Sequence, residues 1–138
     1  MMDSMPSESK QLAERIDRPA TEVYEYVSNP ANIPRWAPGL GCAVEDVDGQ
    51  WFVDTPAGRA AVTFAQCNDF GVLDHYVTTP SSGEVVYIPM RVTADGTGSE
   101  AVFTLRRLPG MTDEEFARDE DLVTADLARL KRILEGAV

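Results

Sequence analysis

The order of its predicted elements constrains the fold of this chain more than any other feature. An alternating strand spans Lys10–Asp17, with Leu12 and Ile16 on one face. A short amphipathic helix follows Pro19, which suits a first helical turn because proline has no N–H to leave unpaired there. A proline-rich elbow containing Trp36 comes next. Six strand-like runs and one long helix complete the sequence, so the chain combines a sheet with few helices.

Turn signals separate the six strand-like runs. Asp48-Gly49 is a type I′ hairpin signal between the first two, and short links rich in glycine, proline and asparagine separate the others. The runs are Cys42–Val47, Gln50–Thr55, Arg59–Cys67, Val72–Thr79, Glu84–Ala94 and Ser99–Leu108. Parallel strands need long crossovers, so these short links predict an antiparallel meander.

The last quarter of the sequence predicts a long helix. Thr112 and Glu115 form a capping-box pattern at its start. Apolar residues then recur at three- and four-residue steps, at Phe116, Val123, Leu127, Leu130 and Leu134. A helix of this length spans roughly 36 Å. Because it is not stable alone in water, its apolar stripe is expected to pack against the sheet.

Together these elements predict an α+β fold in which a curved antiparallel sheet of about seven strands wraps around a long C-terminal helix. Three segments carry a family resemblance: R-P-A-T-E-V-Y-E-Y-V, N-I-P-R-W-A-P-G and P-G-M-T-D-E-E-F. On these segments the chain resembles the helix-grip superfamily of START domains, birch-pollen-type allergens and bacterial polyketide cyclases and dehydrases, also called SRPBCC. The resemblance covers nearly the whole chain after about residue 10. The length of the chain predicts one domain, over residues 10–138, and the polar N-terminus predicts a disordered tail of residues 1–9.

Composition argues against several functions. The net charge of −11 repels phosphate backbones, so neither nucleic acid nor an anionic membrane surface is an expected partner. No apolar run approaches the roughly 20 residues of a membrane helix, and the polar N-terminus lacks a secretory signal. We therefore expect a cytoplasmic protein that does not insert into membranes.

Metal and cofactor sites are not expected either. The chain has one histidine and two cysteines, Cys42 and Cys67, without C-x-x-C spacing. Free, partly buried thiols are the simpler interpretation of the cysteines, with a disulfide or a metal-binding pair as the alternatives. No P-loop, dinucleotide-binding or metalloprotease motif is present. The sequence thus predicts a protein that works without a cofactor.

A concave sheet closed by one helix leaves a gap, which predicts a ligand cavity between them. Strand alternation directs one apolar face of each strand inward. The residues predicted to contact a ligand are Trp36, Trp51, Phe64, His75, Ile88, Met90 and Phe103. Trp36 has an alternative role as a hydrophobic plug between the small helices and the sheet. The facing of Met90 and Arg91 stays open, because Pro89 could mark a bulge.

His75 and Glu14 are the candidate catalytic residues. His75 shares the apolar face of its strand and could act as a general acid or base. The alternative is a neutral imidazole bonded to a tyrosine or a backbone carbonyl. Asp74 points to the opposite face, so a partner carboxylate must come from elsewhere. Glu14 could supply it, or it could instead be solvated or paired with arginine.

Three functions remain open on the sequence. The first is binding of a small hydrophobic molecule, such as a lipid, a sterol, a polyketide or an aromatic metabolite. The second is a cofactor-independent polyketide aromatase or cyclase that uses His75. The third is a stress-response or interaction module without a ligand. The sequence leaves open whether the protein is an enzyme and whether it is a monomer or a homodimer.

Overall fold

The computed structural model describes residues 8–38, 41, 43–56, 58–79 and 82–136. The strands are β1 (Ser9–Ile16), β2 (Ala43–Val47), β3 (Gln50–Thr55), β4 (Gly58–Phe64), β5 (His75–Thr78), β6 (Val85–Ile88), β7 (Met90–Asp95) and β8 (Gly98–Arg106). The helices are α1 (Ala20–Val27), α2 (Ile33–Trp36) and α3 (Asp113–Leu134), with a 3-10 turn at Pro30–Asn32. Most of the predicted tail, residues 1–7, and Cys42 lie outside the described residues.

All strand pairs are antiparallel, as the short links predicted. One sheet has the order β1-β8-β7 and the other the order β2-β3-β4-β5-β6. Helix α3 contacts β1 and β8, and α1 contacts β7 and β8. The α+β helix-grip fold is therefore confirmed, although the described residues form eight strands where about seven were expected.

The extra strand arises at Pro89. The predicted run Glu84–Ala94 is divided there into β6 and β7. The Pro89 carbonyl accepts the N–H of Thr104 at 3.0 Å, but proline has no N–H to return to β8. On the β6 side of Pro89 the two strands separate: β6 is paired with β5, whereas β8 is paired with β1. We call this divergence of β6 from β8 the fork.

The strand register is unchanged across Pro89. His75 pairs with Ile88 in β6, and Val72 pairs with Arg91 in β7, so the chain has no extra residue between the two pairs. Side chains therefore keep their facing. Met90 points inward and is completely buried, and Arg91 is exposed on the outer face. The structure thus decides the orientation that the sequence left open.

Two other strands are shorter than predicted because Asn68 organises the loop between them. Its side-chain oxygen accepts the N–H groups of Phe70 (2.9 Å) and Val72 (3.1 Å). A side chain that replaces a ladder partner competes with strand pairing. The last regular pair between β4 and β5, next to this loop, is therefore Phe64 with His75.

Helix α3 begins as the capping-box pattern predicted. Thr112 caps the N–H of Glu115 at 3.1 Å, and Glu115 returns the bond, which confirms the capping box. The stripe residues Phe116, Leu127 and Leu130 are buried.

Further bonds hold the two ends of α3 to the strands. Near its start, Lys10 of β1 pairs with Glu120 at 2.6 Å. At its end, Lys131 Nζ donates to the Arg15 carbonyl at 2.9 Å, and Glu135 accepts the N–H of Asp17 at 2.8 Å. These bonds fix the helix over the β1–β8 sheet.

Candidate functional site

A cavity of about 230 Å³ lies between the strands on both sides of the fork and the middle of α3. Its walls come from α2, β4, β5, β6, β8 and α3. The lining residues are Ile33, Trp36, Ala37, Phe64, His75, Ile88, Phe103, Leu105, Asp119, Leu122, Val123 and Asp126. The described part of the wall is mainly apolar and includes three titratable side chains, those of His75, Asp119 and Asp126.

Five of the residues predicted to contact a ligand meet in this lining. They are Trp36, Phe64, His75, Ile88 and Phe103. Phe64, His75 and Ile88 lie side by side because they pair across β4, β5 and β6. Their contact with a ligand remains a prediction.

Trp51, Met90 and Glu14 do not line the cavity. Met90 is completely buried in the core, Trp51 is half-buried opposite Val62, and Glu14 is half-buried on β1 opposite Ala101. Alternation along a strand gives the facing of a side chain but not its distance from the fork. The structure therefore does not place Glu14 in the cavity that His75 lines.

His75 is the most deeply placed polar group of the site, with 4% of its surface exposed. Its ring stacks on Phe64 at a centroid distance of 4.9 Å and meets Phe103 edge-on at 6.2 Å. Nδ1 lies 3.0 Å from the Leu73 carbonyl oxygen. That oxygen can only accept, so Nδ1 carries the proton and Nε2 is left as an acceptor. Burial lowers the pKa of His75, so the ring is neutral at neutral pH.

His75 and Asp74 together replace one lost backbone bond beside Pro89. The Leu73 N–H donates to the Met90 carbonyl at 2.8 Å, as expected for a paired position. The Met90 N–H donates instead to Asp74 Oδ1 at 2.9 Å, and the Leu73 carbonyl takes the imidazole N–H. Both backbone groups are thus satisfied by side chains. This carbonyl bond matches one of the two alternatives stated for His75 above.

Asp74 points away from the cavity, as alternation predicted. Its carboxylate accepts Arg91 Nε at 2.9 Å and Arg91 Nη2 at 2.8 Å, and it also accepts the Tyr87 hydroxyl. The bonds from Arg91, with those from Tyr87 and the Met90 N–H, hold the pKa of Asp74 well below its usual range. Asp74 is therefore a permanent anion with its own partners, which excludes it as the base that activates His75.

Asp119 and Asp126 are site residues that the sequence analysis missed. Burial raises the pKa of both carboxyl groups. Asp126 accepts Arg129 Nη1 at 2.9 Å, whereas no hydrogen bond or ion pair to Asp119 is found among the described residues. Each lies three residues after a residue of the apolar stripe, Asp119 after Phe116 and Asp126 after Val123, and this spacing could have placed them on the core-facing stripe.

Trp36 has contacts that suit both of its predicted roles. It is 4% exposed and lines the cavity. Its carbonyl accepts Arg129 Nη1 at 3.1 Å, which ties α2 to α3. Its indole Nε1 is enclosed by protein without a hydrogen-bond partner among the described residues. The ring therefore forms a fixed wall.

Residues 11–135 match the family described as polyketide cyclase / dehydrase and lipid transport. The chain belongs to this family. No curated protein sequence matches it closely enough to add a more specific relative.

Solved structures agree with the family. DynU16, a protein of the dynemicin biosynthetic locus, has a TM-score of 0.70 and 19% identity over 94% of this chain and 48% of its own. This chain thus spans about half of DynU16. A protein of Cytophaga hutchinsonii has a TM-score of 0.70 and 21% identity over 96% and 97% of the two chains. Ara h 8.0201 has a TM-score of 0.68 and 11% identity over 95% and 99%. At these identities the likeness shows the fold.

Two further findings concern this member of the polyketide cyclase / dehydrase and lipid transport family. Within the described ranges, no three His, Cys, Asp or Glu side chains are grouped as metal ligands would be. None of the helices described is both long enough and apolar enough to span a bilayer.

Proposed function

We propose that this protein binds a small hydrophobic molecule in the cavity between the fork and α3. The observation that supports this most is a mainly apolar cavity of about 230 Å³, walled by the rings of Phe64, His75 and Phe103. An apolar cavity of about 150 Å³ takes up benzene. On that scale this cavity accommodates two fused aromatic rings.

The wall geometry favours a flat guest. Aromatic rings gain most from offset stacking or edge-on contact, and the walls provide surfaces for both. A four-ring sterol exceeds the space available for two rings. We therefore favour an aromatic metabolite or a short polyketide over a sterol or a long-chain lipid.

Titration with 2-naphthol, followed by calorimetry, tests this proposal. We expect one saturable site per chain. Val123→Phe adds a ring to the lining from α3 and should abolish binding. Val47→Phe makes the same change at an exposed position of β2 and should leave binding intact. Absence of saturable binding to the wild-type protein, or equal binding by both variants, would refute a guest in this cavity.

A cofactor-independent cyclase is the second candidate. It is favoured because His75 lines the cavity and its Nε2 has no hydrogen-bond partner among the described residues. As a neutral base, Nε2 would remove a proton from a carbon between two carbonyl groups. The resulting enolate would attack a third carbonyl and form the new carbon–carbon bond. His75 would then return its proton to the alkoxide, and loss of water would complete the ring.

His75→Asn provides a selective test of the cyclase. The asparagine amide can still donate to the Leu73 carbonyl, as Nδ1 does, but it has no group at the position of Nε2. With a poly-carbonyl substrate, a cyclase should lose turnover in this variant while its melting temperature stays near that of the wild type. Unchanged turnover would exclude His75 as the base.

A further inference from the structure

The polar side chains of the cavity offer a ligand hydrogen-bond acceptors. His75 commits its N–H to Leu73 and leaves Nε2 as an acceptor. Asp119 and Asp126 add carboxylates from α3. The indole N–H of Trp36 is enclosed by protein, so a ligand in the present cavity does not reach it. A ligand that donates hydrogen bonds is therefore complementary to these walls.

The described lining of the cavity also offers no cation to an anionic ligand. Among the described residues that line it, none is lysine or arginine. Arg129 is engaged by Asp126 at 2.9 Å and by the Trp36 carbonyl at 3.1 Å. Asp119 has no such counterion among the described residues. Binding would thus remove the hydration of an anionic ligand and place the ligand beside like charges. Both effects make its free energy of binding less favourable.

We infer that the cavity selects uncharged or cationic aromatic molecules that donate hydrogen bonds, such as phenols and amines, and rejects carboxylates. This selectivity rests on the proposed function, because it concerns a guest in the same cavity. A phenol or ammonium group would donate to Nε2 of His75 or to Asp119 while its rings contact Phe64 and Phe103. Fatty acids and other carboxylates are excluded as guests.

Three compounds with one naphthalene body test this selectivity: 2-naphthol, 2-naphthylmethylamine and 2-naphthoate. Calorimetry at about pH 7.5 keeps the first neutral, the second cationic and the third anionic. We expect 2-naphthoate to bind at least about tenfold more weakly than the other two. The difference should persist in about 0.5 M salt, which screens the exposed charges of the surface.

Two isosteric variants distinguish the effect of a charge in the cavity lining from the effect of the acidic surface. Asp119→Asn removes a charge from the lining and should strengthen 2-naphthoate binding several-fold while weakening that of the amine. Asp121→Asn removes the same charge from an exposed position of α3 and should change neither. Circular dichroism and melting temperatures verify that both variants fold.

The outcomes distinguish this inference from the proposed function. Equal affinity for all three compounds, or equal relief by Asp119→Asn and Asp121→Asn, overturns the selectivity and leaves the binding cavity intact. Failure of the folded wild-type protein to bind any of the three compounds overturns the proposed function, and the selectivity falls with it.

Discussion

Replacing Asp74 should cost this protein a large part of its stability, although the residue lies outside the cavity. The residue is 7% exposed, and its carboxylate accepts the Met90 N–H that would otherwise pair with the Leu73 carbonyl. In Asp74→Ala that buried N–H loses its acceptor, because the Leu73 carbonyl already takes the His75 imidazole N–H. The same substitution removes two bonds from Arg91 and one from Tyr87.

The magnitude follows from which partners water can reach. An unsatisfied buried N–H costs about 1–3 kcal/mol. The Arg91 side chain is 52% exposed, so water replaces much of its ion pair, and we assign that pair no more than about 1 kcal/mol. Asp74→Ala should therefore lower the free energy of unfolding by about 1–4 kcal/mol. Asp74→Asn retains an acceptor for Met90 and should lose only about 1 kcal/mol.

Urea denaturation of the two variants measures these losses. Asp54→Ala is the matched control, because Asp54 is an exposed strand residue on β3, and its loss should be within about 0.5 kcal/mol. Two results would refute the reasoning: a loss for Asp74→Ala no larger than that of the control, or equal losses for Asp74→Ala and Asp74→Asn.

The pH dependence of this contribution has a definite sign. The pKa of Asp74 is lower in the folded chain than in the unfolded chain, so its contribution is fully present above the unfolded value of about 3.9. The contribution is lost as the pH falls toward the folded value. The stability difference between wild type and Asp74→Asn should hence be constant from about pH 5 to 7 and shrink in stronger acid.

Three more predictions concern other parts of the molecule. Burial lowers the pKa of His75 in the folded chain, so below about pH 6.5 the unfolded chain binds a proton more readily than the folded chain. The wild type should therefore lose more stability between about pH 7 and pH 5.5 than His75→Asn does. An equal loss in urea titrations would contradict this. Thr112→Ala removes the cap on the Glu115 N–H and should cost about 1 kcal/mol in the same assay, and no measurable cost would argue against the cap. Trp51→Phe leaves buried Trp36 as the single indole, whose emission should be blue-shifted and poorly quenched by acrylamide; strong quenching would contradict the burial.

Most of the fold could be predicted because local signals agree with one another. Alternation, turn residues and the capping box each depend on neighbouring positions, and the structure follows them. The consequence of Pro89 could not be predicted, since it depends on a distant partner. Thr104 is the residue whose carbonyl would have accepted the missing N–H, and only the folded sheet brings it there. A fork with unchanged register results, rather than a bulge.

The candidate site was predictable where facing alone determined it. Phe64, His75 and Ile88 belong to strands that the sequence paired correctly, and they line the cavity. Asp119 was missed because a charged helix residue is usually solvated, and periodicity alone does not show that a helix spans a gap. Trp51 was predicted to contact a ligand because it lies on the inward apolar face of its strand, but the cavity lies nearer the fork.

The bonds at the two ends of α3 have a consequence for the route by which a guest exchanges. Lys10 holds the helix near its start, and Lys131 and Glu135 hold its end, whereas Leu122 in between is 45% exposed beside the cavity. Swinging the whole helix outward would break both sets of bonds at once. We therefore expect exchange to proceed through brief local breathing around Leu122 and the adjoining α2. Amide hydrogen exchange should be fastest there, and a bound guest should slow it.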